Sequence, residues 1–182
     1  MIKIKKITFE NILLLWKEGL PNMSLEETSA MSCFKLMSHN EETEKYEQVD
    51  HYDLENQKFI PTFWGAFDDD KLIGCNSGHM TMNRLYRSRG LYVKEEYRGE
   101  RIGQKLLLKT ISQGYFEKAI AVWSYPRMEA WMTYHHVDFY LQGRTFSFEW
   151  DKTAGGTNTR CIRVFDHSEL IKLETPQSEI KK

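Results

Sequence analysis

The feature that most constrains this chain lies at its middle. Residues 84–93 form a strand-like run, followed by the loop KEEYRGERIG and by LLLKTISQGYF, whose Leu107, Ile111 and Tyr115 recur at helical spacing. AIAVWSY, residues 119–125, comes next: a short apolar run closed by Pro126, as expected of a buried strand. Strand, glycine-bearing loop, helix and strand in that order read as a crossover connection within one sheet.

The flanks read as hairpins. FIPTFWGAF (59–67), the turn Asp68-Asp69-Asp70 and KLIGCNSGHMTM from Lys71 form one, and RTFSFEWD and TRCIRVF, joined through TAGGTN, form another. At the start, Ile2 and Ile4 alternate with Lys3 and Lys5 as in a short strand. A helix carrying Ile12, Leu15, Trp16 and Gly19 follows, broken by Leu20-Pro21-Asn22. Ser24 and Glu27 make a capping box for a second helix from about Leu25, with Ala30, Cys33, Phe34 and Met37 on its inner face. A further helix is expected over about 127–137. The class is therefore α/β or α+β with a largely antiparallel sheet. A length of 182 residues suits one domain spanning 1–182, with a polar, peripheral tail at about 168–182.

A formal net charge of -1 provides no long-range field for nucleic acid or anionic lipid. Apolar runs such as ILLLW (12–16) fall far short of the roughly 20 residues that cross a bilayer, and MIKIKK lacks the apolar stretch of a signal peptide. Cys33, Cys75 and Cys161 form no CxxC pair, so a cytoplasmic, reducing setting is expected, and none sits in the context of an activated nucleophile. His135 and His136 are helix neighbours about 100° apart and do not converge on one ion, so no metal is expected. Residues 41–58 carry seven acidic residues against two lysines, a net charge of -5, and read as a long loop, either solvated linker or functional segment.

The central loop carries the chemistry. A loop turning from a strand into a helix N-terminus presents unpaired amides and the positive end of the helix dipole, a site for phosphate. Gly99 and Gly103 would let a diphosphate approach the backbone, and residues 84–105 hold seven basic residues against three acidic. Neither a Walker loop nor a G-x-G-x-x-G fingerprint is present. On these grounds alone the stretch is either a phosphate site or a solvated basic turn.

The segment LYVKEEYRGERIGQKLL, 91–107, resembles the acyl-CoA loop of the GNAT superfamily of N-acetyltransferases. That pattern is Arg/Gln-x-x-Gly-x-Gly/Ala after a strand ending in apolar-x-Val; Arg98 and Gly103 match it, and Arg101 stands at the central glycine. RMEAWMTYHHVDF, 127–139, resembles the family's fourth helix, N-x-x-A-x-x-x-Y-x-x-x-G-F, at Ala130, Tyr134 and Phe139, with Arg127 for the asparagine and Asp138 for the glycine. The resemblance covers roughly 59–165; the first 58 residues match only in their strand, helix, helix order.

The resemblance implies a GNAT-like mixed, mostly antiparallel central sheet of six to seven strands flanked by about four helices. It implies transfer of an acetyl or other short acyl group from acetyl-CoA or another acyl-CoA to a primary amine, by direct attack in a ternary complex. Val93 would supply a backbone oxyanion donor, Leu91 would pair its backbone with the pantetheine arm, and Arg98, Gly99, Glu100, Arg101, Ile102, Gly103 and Gln104 would hold the diphosphate. Tyr134 would act as general acid. The base stays open among His79, Glu95, Glu96 and a water chain. The acceptor is expected to be a small-molecule or peptide amine, and a cationic one would suit the acidic 41–55 stretch; neither nucleic acid nor membrane is expected as a partner, and a homodimer is left open. The departures at Arg101, Arg127 and Asp138 keep a second reading in play, a GNAT-like CoA-binding or regulatory module without catalysis.

Overall fold

Alternating residues at the start of the chain make β1 (Ile2–Lys6), which presents Ile2 and Ile4 to the core. In the computed structural model, which describes residues 1–19, 36–40, 45–49, 61–142 and 160–169, helix α1 (Phe9–Gly19) comes next. Its first turn is capped by the Thr8 hydroxyl, which accepts from the Asn11 amide at 3.4 Å while Asn11 Oδ1 receives the Thr8 hydroxyl at 3.1 Å. Phe9, Ile12, Leu15 and Trp16, at helical spacing, are its buried face.

Strands β2 (Leu36–Asn40) and β3 (Lys45–Val49) pair with each other as a separate antiparallel ribbon. Then come β4 (Thr62–Asp68), β5 (Lys71–Met80), β6 (Leu85–Val93), helix α2 (Ile102–Phe116), β7 (Ala121–Ser124), helix α3 (Trp131–His135), β8 (Tyr140–Gln142) and β9 (Arg160–Val164). Seven strands form one sheet in the order β1-β4-β5-β6-β7-β9-β8. All its pairings are antiparallel except β6 with β7. Parallel neighbours cannot be joined by a tight turn, and α2 is the crossover that joins them.

The two long helices lie on opposite faces of the sheet. Consecutive strand residues point to opposite sides, and Cys75 packs with Phe9, Ile12, Leu15 and Trp16 of α1, whereas Asn76 bonds Thr110 of α2. Leu107 and Ile111 of α2 pack with Tyr86, Val122 and Cys161 of the sheet and with Tyr134, Val137 and Phe139 around α3. No helix among the described residues is long and apolar enough to cross a membrane.

Several local expectations are corrected. The second helix was expected to carry Met37 on its inner face, yet Met37 lies in strand β2; Ala30, Cys33 and Phe34 lie outside the described residues. Residues 41–58 are not one long loop, since Lys45–Val49 is a strand whose ladder with β2 overrides its polar composition. The helix expected over about 127–137 is a 3-10 turn, Met128–Ala130, followed by the short α3. RTFSFEWD lies outside the described residues; among those described, β9 pairs with β7 on one side and on the other with Tyr140–Gln142, which is too short to give a period.

Candidate active site

The site begins where two parallel strands part. Only Leu85, Tyr86 and Arg87 of β6 ladder with β7, opposite Ala121, Val122 and Trp123. At the next step the main-chain ladder stops, and the Ser124 side-chain hydroxyl donates to the Ser88 carbonyl at 2.9 Å. Further on, Tyr92 opposes Cys75 while Arg89 opposes Ser77, so β6 carries one extra residue at a bulge. Gly90 sits there with φ +67, and its carbonyl accepts the Trp16 indole N–H at 2.6 Å. A bulge bends a strand and sharpens its twist, which accounts for the end of pairing with β7. The Lys94 amide donates to Ile73 on β5, so by strand alternation the amides of Val93 and Leu91 face the other edge, the one that β7 does not cover.

The loop closes back onto this edge. Arg98 Nε donates to the Val93 carbonyl at 3.1 Å. Gly99 has φ +87, and an added Cβ there would meet nothing within 4 Å, so the glycine serves conformation and leaves open space beside the loop. Arg101 takes the left-handed conformation, φ 59 and ψ 20, as N-cap of α2, and no side chain caps that helix. The amides of Ile102, Gly103 and Gln104 thus stand at an uncapped positive helix end. An added Cβ on Gly103 would approach Thr133 Cγ2 at 3.0 Å and Leu91 Cδ2 at 3.8 Å, so Leu91, the α2 N-terminus and α3 converge.

The two residues that stand at glycine positions of the resembled motifs keep the glycine conformation, Arg101 with φ 59 and Asp138 with φ 64. A left-handed non-glycine residue costs roughly 1–2 kcal/mol, so neither departure has changed the backbone path. Arg127 precedes the 3-10 turn Met128–Ala130 with its side chain exposed and making no cap.

Tyr134 is buried on α3, its ring edge-on to Phe139 at 5.2 Å between centroids. Its hydroxyl lies 3.2 Å from Ser124 Oγ, at the point where β6 and β7 part. Burial pushes the Tyr134 hydroxyl up to about 12, with the Ser124 hydroxyl working against the shift. The phenol is therefore protonated at neutral pH.

The candidate bases do not gather at this point. His79 is buried on β5 opposite Arg87, and alternation from Asn76 puts it on the sheet face away from Tyr134. Glu95 is exposed, and Glu96 turns outward to Lys71 at 3.3 Å. His136 Nδ1 is 2.6 Å from the Met132 carbonyl, His135 packs on Trp131, and no group of three metal-ligating side chains occurs among the described residues. Cys75 and Cys161 are both buried; desolvation raises the Cys75 thiol and pushes Cys161 up to about 12, so neither is a thiolate at neutral pH.

One group escaped sequence reasoning. Asn76, Ser88, Thr110 and Ser124 form a buried polar cluster beside Tyr134. The available signal was polar residues inside otherwise apolar strand runs, CNSG in β5 and the closing serine of AVWS.

The profile of the acetyltransferase (GNAT) family matches residues 27–139. The chain belongs to that family. No curated protein gives a significant sequence match. Solved structures share the fold at low identity. A GNAT-family acetyltransferase from Staphylococcus aureus Mu50 is 17% identical with a TM-score of 0.56, covering 90% of this chain and 99% of its own. The PaiA N-acetyltransferase from Thermoplasma acidophilum, solved with coenzyme A, is 20% identical with a TM-score of 0.55, covering 91% and 99%. A chimera of the spermidine N-acetyltransferase SpeG from Vibrio cholerae and hSSAT is 10% identical with a TM-score of 0.59, covering 96% and 99%.

Proposed function

We propose that this chain, acting as a single domain, transfers an acetyl or other short acyl group from acyl-CoA to a primary amine by direct attack. The observation that carries this reading is the uncapped N-terminus of α2 beside the unladdered edge of β6, where bare donors and open space adjoin. Membership of an acetyltransferase family supports it, as does the coenzyme A in the PaiA structure of the same fold. The residues fit such a ligand: Gly99 leaves room, and the first-turn amides match an anionic diphosphate.

Acyl-CoA supplies the thioester. Arg98 to Gln104 hold its diphosphate mainly through main-chain amides, and Leu91 pairs its backbone with the pantetheine arm as an added strand would. The Val93 amide, already aligned by the sheet, meets the negative charge that develops on the carbonyl oxygen. Tyr134 gives its proton to the departing thiolate. The acidic 41–55 stretch favours a cationic acceptor, and a spermidine N-acetyltransferase has the same fold.

The test is thiol release from acetyl-CoA over spermidine, a lysine peptide and an aminoglycoside, with a thermal shift in CoA alone. Turnover with an amine supports the reading. Stabilisation by CoA without turnover points instead to a binding module, and no stabilisation defeats both.

A further inference from the structure

The hydroxyl of Ser124 sits between two acceptors, the Ser88 carbonyl at 2.9 Å and the Tyr134 oxygen at 3.2 Å. It has one proton. A carbonyl can only accept, so the shorter contact uses that proton and leaves Ser124 Oγ able to accept the phenolic proton of Tyr134, whose oxygen the Ser88 hydroxyl also reaches as a weaker influence. The position of Ser124 makes the arrangement possible. It is the last residue of β7, one step past the final main-chain pair, so its contact with Ser88 is a side-chain bond on a rotor and not part of a ladder.

Ser88 is fixed from its other end. Its Oγ accepts from Asn76 Nδ2 at 2.9 Å, and the same amide nitrogen donates to Thr110 Oγ1 at 2.8 Å. Thr110 in turn donates to the Leu106 carbonyl at 3.3 Å. All of these side chains are buried, so β6 and α2 hold the Ser88 carbonyl in place whether or not Ser124 bonds to it.

We propose that Ser124 is a positioning residue for proton donation by Tyr134, accepting the phenolic proton at rest and turning its own proton to the phenolate oxygen when that proton leaves. In the step, the Tyr134 O–H bond breaks and its proton passes to the thiolate sulfur. Ser124 keeps its own O–H bond throughout and only redirects it from the Ser88 carbonyl. No proton is left over. This inference rests on Tyr134 being the general acid, and the experiment separates the two.

Ser124→Ala, Tyr134→Phe and the double variant are compared by thiol release from acetyl-CoA, with spermidine as acceptor and with water as acceptor in a parallel series. Melting temperatures place every assay well within the folded range, and Ser124→Cys replaces the alanine variant if that one does not fold. Tyr134→Phe is expected to lose about 100-fold in kcat, within the usual range for a general acid. Ser124→Ala is expected to lose on the order of tenfold in kcat with KM for acetyl-CoA unchanged, the size of one hydrogen bond to a charged group. In the Tyr134→Phe background the same serine change should cost less than about twofold, since coupled residues are not additive. Ser124→Thr, which keeps the hydroxyl, should retain activity. An equal loss in both backgrounds, or none in either, overturns the role of Ser124 and leaves the tyrosine's role standing. Full activity in Tyr134→Phe overturns both.

Discussion

The indole N–H of Trp16 donates to the carbonyl of Gly90 across 2.6 Å, so helix α1 grips the bulge of β6 at the point where that strand leaves its parallel neighbour. A second tie from the same helix, Glu18 to Lys94 at 2.6 Å, holds the residue just after Val93. Gly90 has φ +67 and an added Cβ would overlap the Trp16 ring. Gly90→Ala is therefore expected to cost about 2 kcal/mol or more of stability, and Trp16→Phe about 1–3 kcal/mol, since the lost indole donor leaves the Gly90 carbonyl only the weak Cys75 thiol contact at 3.8 Å. Chemical denaturation measures both, and a neutral Gly90→Ala would contradict the grip described.

Arg101 and Asp138 hold left-handed conformations that glycine adopts without penalty. Arg101→Gly should raise stability by up to about 1 kcal/mol, the relieved strain being partly offset by the entropy of the unfolded glycine. Asp138→Gly should gain less, because aspartate tolerates that region better and Asp138 lies 3.5 Å from Arg163. The thermal shift on adding CoA should be unchanged in Arg101→Gly. A lost shift would mean that the arginine side chain, and not its amide, binds the ligand.

The rate should rise with pH as the acceptor amine loses its proton. With Tyr134 pushed up to about 12, no falling limb from this residue is expected below about pH 10. A falling limb near neutrality that vanished in Tyr134→Phe would contradict the raised value of this hydroxyl, and one that persisted in Tyr134→Phe would show that another group supplies the proton.

Alkali should weaken the fold. Burial raises Tyr134 from 10.0 to about 12 and Cys161 from 9.0 to about 12. A raised folded value favours the protonated, neutral side chain, so this contribution is complete below the unfolded values and is lost as pH climbs through the folded ones. Melting temperature should fall between about pH 9 and 12, and Cys161→Ala should shallow that slope. An unchanged slope would remove Cys161 as a contributor.

Much of the fold was legible because its long elements have clean periods. Ile12, Leu15 and Trp16 announced α1, and Leu107 and Ile111 announced α2, because a buried helix face must recur every three or four residues. The β4–β5 hairpin followed from the aspartate run, and Asp69 does take a turn conformation at φ 49. What was not legible depends on contacts between distant segments. Lys45–Val49 is a strand because Leu36–Asn40 lies opposite, and α3 is cut short after His135 by a turn that ends at the left-handed Asp138. In the candidate site, the loop and Tyr134 came from local motifs, whereas the Ser88–Ser124 contact joins residues 36 apart whose types carry no mark of their meeting.

Main-chain pairing across the parallel seam runs only from Leu85 to Arg87, and the Ser124 hydroxyl on the Ser88 carbonyl is the side-chain tie one step beyond it. A guest entering the unfastened end need not unzip any main chain to make room; it has only to displace water and nudge side chains.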